Sequence, residues 1–173
     1  MPRPASGREY IIPAPGEPGS ETWKGNTNAW RTGGGAVWVT GTYDAATNQT
    51  LWGTGNPVPM FDPFYRPGDN LYTNSVISYD PDTGKMNWYF QFTPGDQWDY
   101  DEVGTHILID GQVGGQARKL ITHSARNGFL YTIERANGVI AFAKPYTDVN
   151  WTKSAGRHRC GGSLASSAAP CRD

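Results

Sequence analysis

The chain has 173 residues, enough for one ordinary domain and too few for two comfortable ones. Charged residues are 18% of it, 15 Lys and Arg against 16 Asp and Glu, so the net charge of −1 gives no electrostatic case for nucleic acid or an anionic membrane surface. With 22 Gly and 13 Pro the chain is rich in turns, yet seven Trp, nine Tyr and six Phe can fill a core, which excludes disorder over most of its length.

In chain order, residues 1–9 read as a leader with no apolar stretch that could serve as a secretory signal, and no later run approaches the ~18 apolar residues needed to span a bilayer. Residues 10–35 are Pro/Gly-rich without strand periodicity and are expected to form a long ordered loop or, alternatively, a flexible linker. Short apolar and aromatic runs follow at 36–43, 71–79, 86–92, 106–109, 119–123, 129–133 and 139–143, each bounded by Gly, Pro, Asn or Asp. Such runs predict strands, and no helical stripe interrupts them, so the expected class is all-β. Residues 153–173 turn abruptly to Gly, Ser, Ala and Arg with both cysteines, Cys160 and Cys171, and no aromatic; they are expected to be an unpacked tail. The two sequons, at Asn48 and Asn150, read as chance matches.

A weak repeat sharpens the class. Tyr43-Asp44 to Trp52, Tyr79-Asp80 to Trp88 and Ile133-Glu134 to Phe142 each place an acidic residue, a turn pair three and four positions later, and an aromatic eight positions later. Each unit reads as a hairpin with a tight turn that delivers a large ring to a fixed place. Repeated hairpins docking equivalent rings between neighbouring sheets suggest propeller blades, about three of them here. The extra sequence at 91–124 is where a repeat fold usually carries function.

That insertion holds Asp96, Trp98, Asp99, Tyr100, Asp101 and Glu102. Asp99 and Asp101, two apart on an extended segment, would face one side and could share a hard cation or a proton; a solvated acidic turn is the alternative. An EF-hand is excluded because Val103 stands where a third oxygen ligand belongs. Asn56, between Gly55 and Pro57, offers a neutral amide oxygen or simply suits a tight turn. Trp38, after three glycines, is either a flat platform for a planar ligand or a core residue. Arg126 could clamp a carboxylate or an oxyanion, or be a surface turn residue. His106, His123 and His158 lack metal-ligand spacing.

Taken in order, Gly33-Gly34-Gly35-Ala36-Val37-Trp38, Gly53-Thr54-Gly55-Asn56-Pro57, Arg66-Pro67-Gly68-Asp69-Asn70, Thr93-Pro94-Gly95-Asp96 with Trp98-Asp99-Tyr100-Asp101, and Arg126-Asn127-Gly128 closely resemble the central blades of the pyrroloquinoline quinone (PQQ) dependent alcohol and methanol dehydrogenases. The resemblance covers residues 10–152, and the hairpin repeat resembles that family's tryptophan-docking motif. It implies an eight-bladed β-propeller holding PQQ and a metal ion, periplasmic location, and oxidation of a small primary alcohol to an aldehyde, with electrons passing to a cytochrome c-type acceptor. By the same resemblance Trp38 stacks on the quinone, Arg126 hydrogen-bonds its oxygens, Asn56, Asp99 and Asp101 bind the ion, and Asp99 is the base that takes the alcohol proton. The ion then polarises a quinone carbonyl that accepts hydride. Calcium or a lanthanide ion fits this set, and Asp101 favours a lanthanide because a trivalent, larger ion gains from one more anionic oxygen. The chain also lacks the family's upstream glutamate ligand, the vicinal disulfide beneath PQQ and the closing blades. The expectation is therefore an internal fragment that is inactive alone, with a non-enzymatic propeller-derived scaffold or binding module as the alternative.

Overall fold

The computed structural model describes residues 7–26 and 28–152. Two short 3-10 turns, Ser20–Thr22 and Ala29–Thr32, precede eight strands: β1 (Thr42–Asp44), β2 (Gln49–Gly53), β3 (Ser75–Tyr79), β4 (Met86–Gln91), β5 (Ile107–Val113), β6 (Gln116–Ser124), β7 (Phe129–Glu134) and β8 (Ile140–Pro145). They form two four-stranded antiparallel sheets, β1-β2-β3-β4 and β5-β6-β7-β8, each strand pairing with its neighbour in sequence. Among the described residues the partial propeller is thus two complete sheets, and none of its helices is long and apolar enough to cross a membrane.

The hairpin turns follow from their acidic residues. Asp44 accepts the Ala46 N–H (3.1 Å) and the Thr47 hydroxyl (2.5 Å), and Asp80 accepts the N–H groups of Asp82 (2.8 Å) and Thr83 (3.1 Å). Asn48, Gly84 and Gly138 then supply the left-handed residue that reverses the chain. The longer Glu134 side chain instead leaves its turn to pair with Arg118. The three copies of the repeat are not equivalent. The first joins β1 to β2 and the second joins β3 to β4 of the same sheet, whereas the third joins β7 to β8. Only the second and third occupy matching places, so two sheets account for three copies.

The second copy makes the inter-sheet joint. Trp88 Nε1 donates to Arg135 O (3.0 Å) and Gln49 Oε1 (3.2 Å), and its ring lies over Gly138, where a Cβ would stand 2.6 Å from Cε3. The buried Arg135 guanidinium bridges the sheets, reaching Asp44 on β1 (3.2 Å) and Asp110 on β5. Burial pushes the Asp44 carboxyl up, but the Thr47 and Ala46 hydrogen bonds and the Arg135 charge outweigh it and hold the group below its ordinary value. Beside this joint Val76, Phe90 and Phe92 pack against Ile121, Tyr131 and Ile133, with Phe92 and Tyr131 edge-on at 5.0 Å.

One expectation changes and another is met. Residues 36–41 do not pair as a strand: the segment runs instead across residues 55–57, through Gly35 N–H to Asn56 O (2.9 Å), Gly55 N–H to Ala36 O (3.0 Å) and a bridge between Gly34 and Pro57. The 10–35 region is an ordered loop rather than a linker, since Trp23 is buried and donates from Nε1 to Leu71 O (2.5 Å) while Lys24 N–H reaches Pro67 O (2.7 Å). The reading of 153–173, including Cys160, Cys171 and His158, lies outside the described residues.

Gly138→Ala tests the joint directly. A Cβ at positive φ beneath the Trp88 ring should cost about 2–4 kcal/mol, combining left-handed strain with overpacking, and chemical denaturation should show an earlier midpoint.

Candidate active site

Four loops meet at one end of the two sheets: 33–38, 53–59, 96–102 and 125–128. Two of them, 53–59 and 96–102, are fastened together by Arg66, which is fully buried. Its guanidinium donates to Pro59 O (2.7 Å), Met60 O (2.6 Å), Asn70 Oδ1 (2.9 Å) and Asp96 O. A buried guanidinium is stable only with its fork satisfied, so these carbonyls are held where the fork requires them.

Asp96 curls the acidic loop. One carboxylate oxygen accepts the Trp98 N–H (2.9 Å), and the other accepts the Tyr100 N–H (2.8 Å) and Asn74 Nδ2–H (2.9 Å). Asn74 Nδ2 also donates to Tyr100 O (2.6 Å). The expected extended segment is therefore a tight loop, with Asp99 half-buried at φ +67°. Trp98 stacks on Tyr100 at 5.6 Å and braces the outer flank.

Asp101 is where the loops converge. Its Oδ1 accepts the Asn56 N–H (2.9 Å), and its Oδ2 lies 3.3 Å from the Arg126 guanidinium. Gly55 leaves the room for this: a Cβ there would stand 2.8 Å from both Asp101 Oδ1 and the Trp38 ring. The Trp38 indole remains 57% exposed, so it is not a core residue. Asn56 Nδ2 is tied to Pro57 O (3.0 Å), while its amide oxygen accepts no hydrogen bond among the described residues. Burial raises the Asp101 carboxyl above its ordinary value. The Asn56 N–H opposes that rise, the Asp99 charge adds to it, and Arg126 opposes it again.

The structure thus brings Trp38, Asn56, Asp101 and Arg126 into contact range around Gly55, while Asp99 joins them through its field on Asp101. These residues fit a flat anionic cofactor with a hard cation. An open indole face, a carboxylate crowded by a second one, and an amide oxygen without a partner are the donors such a pair takes. Among the described residues no three His, Cys, Asp or Glu side chains group as a metal centre.

Sequence reasoning assigned no role to Glu102, His123 and His106, which lie beneath these loops. Glu102 is fully buried, and its Oε2 stands 2.9 Å from His123 Nε2 and 3.3 Å from the Arg126 N–H. The β5–β6 register, with Ile107 opposite Thr122, stacks His106 on His123 at 4.3 Å. Burial, with the His123 charge, drives the His106 imidazole well below its usual value, whereas burial pushes Glu102 up against the His123 hydrogen bond. Spacing gave no signal for this group, because strand pairing assembles it.

Comparison with known proteins agrees with the geometry. The family described as PQQ: glucose/ethanol/alcohol dehydrogenase, beta-propeller domain, matches residues 8–156. The chain is 41% identical over 142 residues to the quinohemoprotein alcohol dehydrogenase of Comamonas testosteroni, covering 80% of this chain and 20% of that protein. It is 43% identical over 138 residues to methanol dehydrogenase [cytochrome c] subunit 1 of Methylorubrum extorquens, covering 79% and 22%. A europium-containing methanol dehydrogenase structure superposes with a TM-score of 0.76 at 38% identity, over 83% of this chain and 25% of that one. The chain spans about a fifth of the length of the curated relatives it matches.

The electrostatics of Asp101 are testable by following its carboxyl carbon in an NMR titration. The group should titrate above an ordinary aspartate, Arg126→Ala should move it higher by removing a cation, and Asp99→Asn should move it lower by removing a like charge. The reverse order would contradict the arrangement.

Proposed function

Because the chain belongs to the PQQ-dependent glucose/ethanol/alcohol dehydrogenase β-propeller family, we propose that it forms part of the site at which a quinoprotein oxidises a small primary alcohol to an aldehyde. The observation that carries this reading is the meeting of Trp38, Asn56, Asp101 and Arg126, from four separate loops, around the Cβ-free Gly55. A surface turn or a scaffold has no use for an exposed indole facing a carboxylate that is itself crowded by another.

In this reading Trp38 holds PQQ by its face, Arg126 holds quinone oxygens with the part of its guanidinium not engaged by Asp101, and Asn56, Asp99 and Asp101 hold the ion. When bound, PQQ and its ion supply the two-electron acceptor. Asp99 is the base. It stands on the loop, half-exposed, with no side-chain hydrogen bond among the described residues, and so is open to the hydroxyl of an incoming alcohol, whose proton passes to its carboxylate oxygen. The Asp96 hydrogen bonds fix that loop, which keeps the base from swinging away between turnovers.

Asp101 adds a second anionic oxygen and tilts the ion preference from calcium toward a lanthanide, in line with similarity to a europium-containing relative. The ligands on this chain number three against the six to eight oxygens a hard cation takes, so firm retention of PQQ by these residues alone is not expected. A cytochrome c-type electron acceptor and a periplasmic location complete the proposal by analogy with the relatives.

A chimaera tests it: residues 10–152 replace the matching segment of the Comamonas testosteroni enzyme. The chimaera should reduce dye with ethanol when loaded with PQQ. Asp99→Asn in it should lower turnover about 10²–10⁴-fold while the quinone absorbance of bound PQQ persists. Asp101→Ala should lose activation by La³⁺ more than activation by Ca²⁺; equal loss with both ions would remove the lanthanide assignment.

A further inference from the structure

The Arg126–Asp101 contact cannot hold its own loops together. It is a single 3.3 Å pair whose arginine side chain is 60% exposed, and exposed pairs of this kind contribute about 0–1 kcal/mol against solvent and side-chain entropy. Something beneath it must set the distance between the 96–102 loop of the first sheet and the 125–128 turn of the second.

We propose that Glu102 is the positioning residue of this site: its buried carboxylate bolts the Arg126 turn to the Asp99–Asp101 loop and so decides where the guanidinium stands. The backbone of Glu102 is pinned to the end of β2, its N–H donating to Thr54 O (3.2 Å) and its carbonyl packed so closely on Gly53 that a Cβ there would lie 2.3 Å away. Its side chain crosses to the other sheet. Oε2 meets His123 Nε2 on β6 at 2.9 Å and the Arg126 N–H at 3.3 Å, one oxygen holding a strand and a turn together. His123 is a firm anchor, since its ring stacks on His106 at 4.3 Å and meets a tilted Phe92 ring at 4.9 Å, and β6 is paired on both sides. Asp101 and Glu102 are neighbours in sequence, so the bolt that fixes the Arg126 backbone also fixes the carboxylate it faces. Leu or Ala at 102 would leave the part-buried Arg126 N–H and the buried His123 Nε2 without this partner. Gln preserves the connection, because its amide oxygen can take the place of Oε2 towards the Arg126 N–H and the same amide group reaches His123 Nε2.

The inference rests on the reading of Asp101 and Arg126 as cofactor-facing, but the bolt is measurable without PQQ. In the 173-residue chain, NMR-detected hydrogen exchange should show the Arg126 amide exchanging about tenfold faster in Glu102→Leu, with β6 and β7 amides unchanged, and near wild-type protection restored in Glu102→Gln. The Arg126 guanidinium resonances should lose their dispersion in the same variant and regain it in Glu102→Gln. Unchanged Arg126 exchange in Glu102→Leu would overturn the proposal, as would a loss of protection spread evenly over β6, β7 and the turn, or a Gln variant that behaves like Leu. A chimaera that fails to use PQQ would remove the functional reading and leave the exchange result to decide the bolt.

Discussion

The orientation of one sheet against the other rests on Trp88. Its indole is held at the edge by the Arg135 carbonyl and Gln49, and by its face on Gly138, so both translation and rotation of the second sheet are constrained at one residue. Burying so large a ring supplies the driving force, and the two hydrogen bonds supply the direction. Arg135 adds a second bridge from the same turn to Asp44 and Asp110. With that joint formed, the loops at the other end of the sheets have a fixed separation, and side chains from both sheets can be shaped against each other.

Within the acidic loop the carboxylates divide by burial. Asp96 and Glu102 are fully buried: Asp96 spends both oxygens on backbone N–H groups and an asparagine amide, whereas Glu102 engages His123 and the Arg126 N–H through Oε2 alone and keeps Oε1 buried without a partner among the described residues. Asp99 and Asp101 are the ones left partly open, and their mutual repulsion is only partly met by Arg126. The open carboxylates thus stand over buried ones whose engaged oxygens tie the loop to its neighbours, and burying a carboxylate is tolerable only with such partners.

Family membership and local geometry carry different parts of the account. Membership is shown by a match over nearly the whole chain, yet the chain spans about a fifth of the length of the relatives. The positions of Trp38, Gly55, Asn56, Asp101 and Arg126 come from this chain's own loops. Glu102 belongs to that local part: it lies outside the motifs that carry the resemblance, and its importance follows from what its oxygen touches.

Hairpins and turns were legible in the amino-acid order because their causes are local. An aspartate caps the turn two and three residues ahead, a glycine or asparagine admits positive φ, and alternating β-branched and aromatic residues pair. The five ordered motifs also marked Trp38, Asn56, Asp99, Asp101 and Arg126. Non-local competition decided the rest. Residues 36–41 have strand composition but lose their ladder to the 55–57 backbone, and the three repeat copies fall into two sheets because β1–β2 and β3–β4 pair with each other. Asp99 and Asp101 lie on a curled loop and not on an extended segment because Asp96 caps the backbone there. The Glu102–His123–His106 group exists only where the β5–β6 register and the sheet-to-sheet joint bring residues from three segments together. No spacing along the chain encodes a contact that two separate sheets must first dock to make.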